Sequence, residues 1–337
     1  MRRPWRVGVV VLLASVFWSG MLAGQERLDR IRVGTVGTTA DAGIYVAQEK
    51  GFFRDERIEV VVQNTFRTGG EMIPFVATGE LPVAGGAMDA AFINAVRQGI
   101  HLRAVATKGS MKQQVLVVRR ELFEQGLRTV AGLRGRRIAV SSPSGAVAFE
   151  LQEALRTAGL TLDDVQLVTL RFPDMPVALQ NGSVDAALMI EPSRTVAVDG
   201  LNAGRDLMTL DRVLPDFPIG VLFYGERMYR DRNLGIRWMA AYVRGLRYYE
   251  RARREGRLEE MRRILSRYLQ YERVVWERMI WPDLRPDGTF DAKYLRPLQE
   301  FMLGRRAIGG IVPTEELVDF SFLQAAHEHL RRKGIRD

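Results

Sequence analysis

The sequence predicts an α/β protein of two doubly wound lobes joined by two hinge strands, with a helical C-terminal extension on lobe one. Three observations support this prediction. Short apolar runs alternate with helical segments in two separate series, as parallel sheets covered by helices require. A helix–turn–strand unit occurs twice, at Met72–Ala90 and Met175–Pro192. Two extended apolar segments, 113–120 and 217–225, lie where the chain would cross between the series.

The first series alternates predicted strands with predicted helices. A β-branched run at 58–63 indicates a strand, and an apolar helical segment that begins at Ala42 is stopped by Gly51. The predicted order is strand 31–36, helix 42–50, strand 58–63, helix 70–78, strand 81–84, helix 88–98 and strand 102–107.

The second series begins afresh after the first apolar crossing segment. It predicts a strand in "RGRRIAVSS", a helix over 145–158, a strand over 165–170, the repeated helix and strand, and a strand over 206–210. The predicted division is therefore lobe one from 31–113 plus 220–337, and lobe two from 114–219. Two crossings between the lobes make a hinge.

From Glu226 onward the pattern is helical, with long amphipathic stretches around 238–254, 259–268 and 314–332. Thr314, which follows a proline and precedes two glutamates, marks a helix start. The aromatic residues of this region recur at core spacing, so we expect the extension to pack on lobe one.

The N-terminus predicts export. Three arginines precede an apolar run from Val7 to about Ala23, and small residues follow it, which is typical of a signal peptide over 1–24. An uncleaved membrane anchor is the alternative, because the run approaches the length that spans a bilayer. The junction carries no cysteine, so a lipid-anchored form is not expected. The predicted location is the periplasm.

Composition excludes several classes of chemistry. The chain has no cysteine, which excludes disulfides, thiolate catalysis and cysteine metal sites, and it has only three histidines. No metal and no cofactor is predicted. The basic stretch 247–270 has acidic residues interleaved at helical spacing, as in Glu250 with Arg254, which indicates a solvated helix face. Nucleic-acid binding is therefore not predicted.

Candidate binding residues follow the predicted strands. Ligands bind outside the carboxyl ends of open parallel sheets, where helix N-termini and free backbone N–H groups point. Hydroxyls and glycines in Ser141–Gly145 and Thr68–Gly70 could cradle an acidic group, or they could simply cap helices. The strand-exit loops are 37–43, 65–70, 84–89, 141–146, 171–175 and 190–194.

Charged and aromatic residues in these loops have two interpretations each. Arg67 either pairs with an anionic ligand or is a solvated loop arginine. Asp41 either caps its helix or contacts the ligand. Glu191 is a stronger ligand candidate, because a carboxylate between a strand and a proline has no evident local structural task. Tyr45 and Phe172 either stack on a planar ligand or pack in the core.

Several stretches resemble the NMT1/SsuA-like periplasmic solute-binding proteins of ABC importers. They are "ADAGIYVAQEKGFFRDERIEVVV", "LRGRRIAVSSPSG", "VALQNGSVDAALMIEP" and "FPIGVLFYG", in the family's order and spacing, and together they cover about residues 31–225. The resemblance implies the type II periplasmic binding protein fold, with a small solute held between two lobes. The family's solutes include thiamine pyrimidine precursors, sulfonates, nitrate and flavins.

The resemblance, with the loop positions, also implies the ligand-binding residues and the partners. A related branch makes a thiamine pyrimidine enzymatically with a cysteine-rich motif, but this chain has no cysteine, so we predict a binding protein and not an enzyme. The expected partners are a small polar or acidic organic solute and an inner-membrane ABC permease, and the expected state is a monomer. An enzyme or a solute sensor on the same scaffold is the alternative. The candidate ligand-binding residues are Thr38, Thr39, Asp41, Tyr45, Arg67, Thr68, Gly69, Gly86, Met88, Ser142, Ser144, Gly145, Phe172, Asp174 and Glu191.

Overall fold

The computed structural model describes residues 28–335, and the predicted signal peptide at 1–24 lies outside them. The described chain contains two five-stranded sheets with helices around them, which confirms the predicted α/β fold of two lobes. We call each sheet, with the helices packed on it, a lobe. Within 28–335 no helix is both long enough and apolar enough to cross a bilayer.

The first sheet has the strand order β2-β1-β3-β10-β4. β1 pairs in parallel with β2 and β3, whereas β10 is antiparallel to both of its neighbours, β3 and β4. Its strands are β1 (Asp29–Thr35), β2 (Ile58–Gln63), β3 (Val83–Gly86), β4 (Leu102–Thr107) and β10 (Val221–Gly225).

The second sheet repeats this plan with the order β7-β6-β8-β5-β9. β6 pairs in parallel with β7 and β8, and β5 is antiparallel to β8 and β9. Position by position, β6, β7 and β8 therefore correspond to β1, β2 and β3, and β5 corresponds to β10. The strands are β5 (Gln114–Arg119), β6 (Arg137–Val140), β7 (Gln166–Thr169), β8 (Ala186–Ile190) and β9 (Gly204–Thr209).

The chain crosses between the sheets twice, after β4 and before β10. β5 and β10 are the antiparallel strands because each is the first strand formed after a crossing. The two crossing segments contact each other, since the backbone N–H of Lys108 donates to the carbonyl of Gly220 at 2.9 Å. The crossings thus form a paired hinge, as the sequence predicts.

Helices cover both sheets and make up most of the C-terminal region. The strand bounds differ from prediction by a few residues at most, and β2 matches the predicted range. The helices are α1 (Ala42–Glu49), α2 (Phe52–Asp55), α3 (Gly69–Ala77), α4 (Ala90–Arg97), α5 (Arg120–Glu124), α6 (Ala146–Arg156), α7 (Met175–Gln180), α8 (Ser193–Thr195), α9 (Glu226–Arg230), α10 (Arg232–Arg254), α11 (Leu258–Leu265), α12 (Arg273–Arg278), α13 (Leu295–Gly304), α14 (Thr314–Leu317) and α15 (Ser321–Arg332).

The duplicated sequence unit forms the same structure in both lobes. α3 and α7 each end in a turn with a glycine at positive φ, Gly79 at 78° and Gly182 at 73°, where a residue with a Cβ would be strained. Each turn leads into the central parallel strand, β3 or β8. The repeat therefore places equivalent strand exits, those after Gly86 and Ile190, at the cleft.

The C-terminal helices pack on lobe one and also contact lobe two. α10 lies against α1 and α15 in the core of lobe one, with Trp238, Tyr242 and Tyr249 fully buried. Farther along, the ring of Phe301 on α13 meets Phe149 of lobe two at 5.7 Å between centroids. The extension thus reaches across to lobe two.

Candidate functional site

A cleft lies where the loops of both sheets meet. One part of it, which we call the main chamber because residues of both sheets line it, has a cavity volume of about 40 Å³, and most of its wall is apolar. The exits of β1, β3, β4, β6 and β8 contribute to it, together with the amino ends of β5 and β10. The lining residues are Val36, Thr38, Ala40, Arg67, Thr68, Gly69, Gly86, Ala87, Asp89, Lys108, Gln114, Ser141, Ser142, Ala146, Val147, Glu150, Phe172, Ile190, Ile219 and Gly220.

A side chamber with a larger cavity volume, about 310 Å³, adjoins the main chamber. The two share Val36, Thr38, Arg67 and Phe172, so they are parts of one cleft. Phe172 is half-buried and lines both parts, which leaves its ring available to a ligand. Tyr271 of the C-terminal extension closes part of the side chamber.

The structure brings many of the predicted ligand-binding residues to the cleft wall and places the others elsewhere. Those in the main chamber are Thr38, Arg67, Thr68, Gly69, Gly86, Ser142 and Phe172. Glu191 lines the side chamber. The others, which line neither chamber, are Thr39, Asp41, Tyr45, Met88, Ser144, Gly145 and Asp174.

Gly69 and Gly86 are needed for backbone packing at the cleft wall. A Cβ on Gly86 would lie 2.5 Å from the Cα of Gly69, and one on Gly69 would lie 2.6 Å from the carbonyl oxygen of Ala87. Real Cβ atoms do not approach backbone so closely. These glycines let the N-terminus of α3 lie directly against the exit of β3.

Thr68 and Arg67 serve the start of α3. Thr68 is the N-cap, and its Oγ1 accepts a hydrogen bond from the backbone N–H of Glu71 at 3.4 Å. Arg67 Nε donates to the Glu71 carboxylate at 2.5 Å, and the Arg67 side chain is 64% exposed. Of its two interpretations, the structure shows the solvated loop arginine with a protein partner.

Asp41 forms an ion pair that the sequence did not predict. Its carboxylate contacts the ammonium group of Lys108, and both side chains are almost completely buried. The other carboxylate oxygen accepts the backbone N–H of Thr38 at 3.0 Å. Lys108 Nζ also donates to the carbonyl of Gly85 at 3.1 Å, so the pair joins the exit of β4, at the hinge, to the start of α1. Asp41 has no surface left for a ligand.

Thr39 and Gly145 lie where the lobes touch each other. Thr39 Oγ1 donates to Gln113 Oε1 at 3.1 Å and to the carbonyl of Glu191 at 3.3 Å. A Cβ on Gly145 would lie 2.9 Å from the Cβ of Asp89 on lobe one. Ser144, next to this contact, is half-buried. These residues determine how closely the lobes approach.

Asp89 caps α4 at this contact. Its Oδ1 accepts hydrogen bonds from the backbone N–H groups of Ala91 at 3.1 Å and Phe92 at 3.3 Å. Burial raises the pKa of Asp89, although these backbone N–H groups act in the opposite direction. Asp89 lines the main chamber with its hydrogen-bonding capacity already partly used.

Three predicted ligand-binding residues lie in the core or on the outer surface. Tyr45 is fully buried and stacks on Tyr268 at 4.2 Å between centroids, and Met88 belongs to the apolar core. For Tyr45 the core interpretation is therefore the one observed. Asp174 is exposed and lies 3.5 Å from Arg171. The apolar pattern places Tyr45 and Met88 inside the molecule without distinguishing the core from the cleft.

Glu191 has a structural task, so the expectation that it lacks one is wrong. Its carboxylate accepts hydrogen bonds from the backbone N–H of Thr195 at 3.2 Å, from Thr195 Oγ1 at 3.0 Å and from the backbone N–H of Ile280 at 3.1 Å. Ile280 follows α12, so Glu191 fastens the C-terminal extension to lobe two. Burial raises the pKa of Glu191, although these donors and Arg194 oppose the shift.

Two buried polar residues of the main chamber escaped the sequence analysis. Gln114 is the first residue of β5, and Glu150 lies on α6, each only 1% exposed. Within the described chain, Gln114 Nε2 and Glu150 Oε2 have no hydrogen-bond partner. Gln114 was not predicted because only the residues that follow strands were considered. β5 is antiparallel, so its first residue lies at the edge of the sheet where the parallel strands end. Glu150 escaped because a helical glutamate is usually exposed.

No cluster of histidine, aspartate and glutamate in residues 28–335 could hold a metal ion. Two lobes of equal topology that share one cleft have the fold class of the type II periplasmic binding proteins. The NMT1/THI5-like family profile matches residues 38–251, more than half of the chain, and the protein belongs to that family. No curated protein matches the chain in sequence.

Solved structures share this fold at low sequence identity. The alkanesulfonate-binding protein SsuA from Xanthomonas axonopodis pv. citri, bound to MOPS, has a TM-score of 0.68 at 20% identity, covering 86% of this chain and 98% of SsuA. The nitrate-binding protein NrtA from Synechocystis PCC 6803 has a TM-score of 0.71 at 14% identity, covering 90% and 89%. The desulfurization enzyme DSZB has a TM-score of 0.58 at 16% identity, covering 89% and 99%.

Proposed function

We propose that this protein is an exported solute-binding protein of an ABC importer that captures a small organic molecule between its lobes by hinge closure. The observation that carries the proposal is the cleft, which is walled by equivalent strand exits of two sheets with the same topology. SsuA and NrtA, which share the fold, are named as binding proteins for alkanesulfonate and nitrate.

The mechanism requires the lobes to move about the two crossing segments. A ligand that contacts both walls binds the closed form better than the open form, and this difference in affinity drives closure. The lobes we assign are 31–113 plus 220–337 and 114–219. Ligand contacts from Phe172 and Ser142 on lobe two, and from Thr38 on lobe one, would then form together.

The remaining parts of the proposal concern location and partners. The basic and apolar pattern of residues 1–24 supports export to the periplasm through a signal peptide. There the closed protein, as a monomer, presents its two lobes to an inner-membrane ABC permease. No role with nucleic acid is proposed.

An enzyme on the same scaffold is the second candidate, because DSZB shares the fold. Such an enzyme needs a positioned acid or base at the ligand. The buried carboxyl of Glu150 is the cleft group that favours this candidate. A solute sensor that reports to a membrane receptor would use the same closure.

Native mass spectrometry of freshly purified protein, followed by small-angle scattering with the recovered molecule, tests the proposal. We expect a bound small molecule that is recovered unchanged and that lowers the radius of gyration when it is added back. Superimposable scattering curves would contradict hinge closure. Conversion of the molecule into a product during incubation would favour the enzyme.

A further inference from the structure

The carboxyl group of Glu150 has a buried, unsatisfied oxygen at the cleft. Glu150 shares one face of α6 with Ala146 and Val147, which lie four and three residues before it, and all three line the main chamber. The side chain is 1% exposed, and its Oε2 accepts no hydrogen bond from any group in residues 28–335.

A carboxyl in this position is costly for the protein by itself. A buried polar group without a partner destabilises a fold, and more so when it is charged. Burial alone raises the pKa of Glu150 well above its ordinary value, with no contribution from a neighbouring charge. A hydrogen-bond donor arriving from the cleft would offset this cost.

The other charges of the main chamber, which holds Glu150, indicate the sign of a ligand bound there. The cations that line the main chamber in the described chain are Lys108 and Arg67, and each is paired with a carboxylate, Asp41 and Glu71 respectively. Asp89 and Glu150 are the carboxyl groups of that wall, and neither has a cationic partner within residues 28–335. An anionic ligand would meet no free side-chain cation there.

We propose that the cleft takes a small organic cation, a primary amine or amidinium on a compact apolar body, whose N–H group donates to Glu150. This assignment rests on the proposed function, because it takes the interlobe cleft as the solute site. The apolar wall accommodates the body of the molecule, and the amide of Gln114 offers a second polar contact. The assignment narrows the polar or acidic solute expected from the sequence to a polar, cationic one.

The experiment compares three probes that share one ring and differ in charge: benzylamine, benzyl alcohol and benzenesulfonate. Each is titrated calorimetrically into the parent protein and into Glu150→Gln. We expect benzylamine to bind the parent most tightly and to lose affinity by about tenfold or more in the variant, as for a charge-assisted hydrogen bond. Benzyl alcohol should change by less than about threefold.

Glu153→Gln is the matched control. Glu153 lies on the same helix, and its carboxylate is paired with Arg156 at 2.9 Å and is not part of the chamber wall. This variant should bind benzylamine as the parent does. A loss equal to that of Glu150→Gln would mean that a general change of α6, and not the buried carboxyl, weakens binding.

Proton release provides a readout that a structural role for Glu150 would not produce. A cation favours the ionised carboxylate, so benzylamine binding should lower the pKa of Glu150, which burial raises, and release protons at a pH where the free protein still holds them. The binding heat of the parent should then depend on the ionisation enthalpy of the buffer, and that of Glu150→Gln should not. The other ionisable groups of this wall, Lys108, Arg67 and Asp89, are unchanged in the variant.

Three results would overturn the assignment. They are tighter binding of benzenesulfonate than of benzylamine, an unchanged benzylamine affinity in Glu150→Gln, and the absence of saturable benzylamine binding to the parent. Each leaves the proposed function to be judged separately, because scattering with the recovered molecule reports closure whatever the charge of that molecule.

Discussion

Two buried glutamates of lobe two differ in what surrounds them. Glu191, after β8, accepts three hydrogen bonds and links lobe two to the C-terminal extension. Glu150, on α6, has an oxygen with no partner in the described chain. Burial raises the pKa of both. The pKa direction therefore does not separate them, whereas the hydrogen-bond partners do.

The comparison teaches how to distinguish a structural acid from a recognition acid. A buried carboxylate whose hydrogen-bond donors all come from the protein holds those donors in place. Removing the carboxylate leaves the donors unpaired. A buried acid without a partner adds a cost that only another molecule can offset. By this criterion Asp41 belongs with Glu191, because Lys108 and Thr38 satisfy it.

Removal of Lys108 should give the largest effect on stability. Lys108→Met leaves the buried Asp41 carboxylate without its cation, and we expect the free energy of unfolding to fall by about 3–5 kcal/mol. Urea denaturation measures this loss. Lys112→Met is the control, since the Lys112 side chain is 60% exposed and its pair with Asp283 should contribute less than about 1 kcal/mol. Equal losses in both variants would break the distinction between satisfied buried charges and surface charges.

Glu191→Ala should have the next largest effect. Three donors lose their acceptor, so we expect a loss of about 2–3 kcal/mol in unfolding free energy. Faster hydrogen exchange at the Ile280 amide should accompany it, because that amide donates to Glu191. Glu191→Gln keeps an acceptor oxygen and should lose about half as much. An unchanged stability in Glu191→Ala would place Glu191 in the same class as Glu150.

Glu150→Gln should cause the smallest loss of stability of the three variants, and its effect on stability should depend on pH. The folded-state pKa of Glu150 is raised above the ordinary value of 4.5, so the folded protein keeps a proton that the unfolded chain has lost. The contribution of Glu150 to stability is therefore full below about pH 4.5 and declines as the pH rises through the window above it, by at most about 1.4 kcal/mol per pH unit.

Urea denaturation of both proteins, measured at steps of about one pH unit between pH 4 and 8, checks the direction in which their stability difference changes with pH. The unfolding free energy of the parent minus that of Glu150→Gln should decrease as the pH rises, because the contributions of other groups cancel in the difference. A difference that stays constant with pH would mean that the carboxyl is not desolvated, and the comparison with Glu191 would lose its basis.

The fold was predictable because it depends on periodicity. The β-branched run at Ile58–Gln63 and the repeated unit with Gly79 and Gly182 are local signals, and the structure realises both. The loops that form the cleft were predictable as well, because the parallel strands that precede them all end at one edge of the sheet. Gln114 was not predictable in this way, because it begins a strand that runs in the opposite direction.

Individual roles at the site depend on partners that are distant in sequence. The partner of Asp41 is Lys108, and one donor to Glu191 comes from Ile280. No local pattern reports such contacts, so a cap, a buried ion pair and a ligand contact are indistinguishable at the level of sequence. Glu150 differs in that its significance is the lack of a partner, which only the three-dimensional packing reveals.

The most direct test of the central claim measures Glu150→Gln and Glu191→Gln side by side, with the molecule that native mass spectrometry recovers from the parent. The account predicts that Glu150→Gln binds this molecule at least about tenfold more weakly without any loss of unfolding free energy at neutral pH. It predicts that Glu191→Gln loses stability and keeps its affinity. The reverse pattern, with affinity lost in Glu191→Gln and kept in Glu150→Gln, would contradict the account.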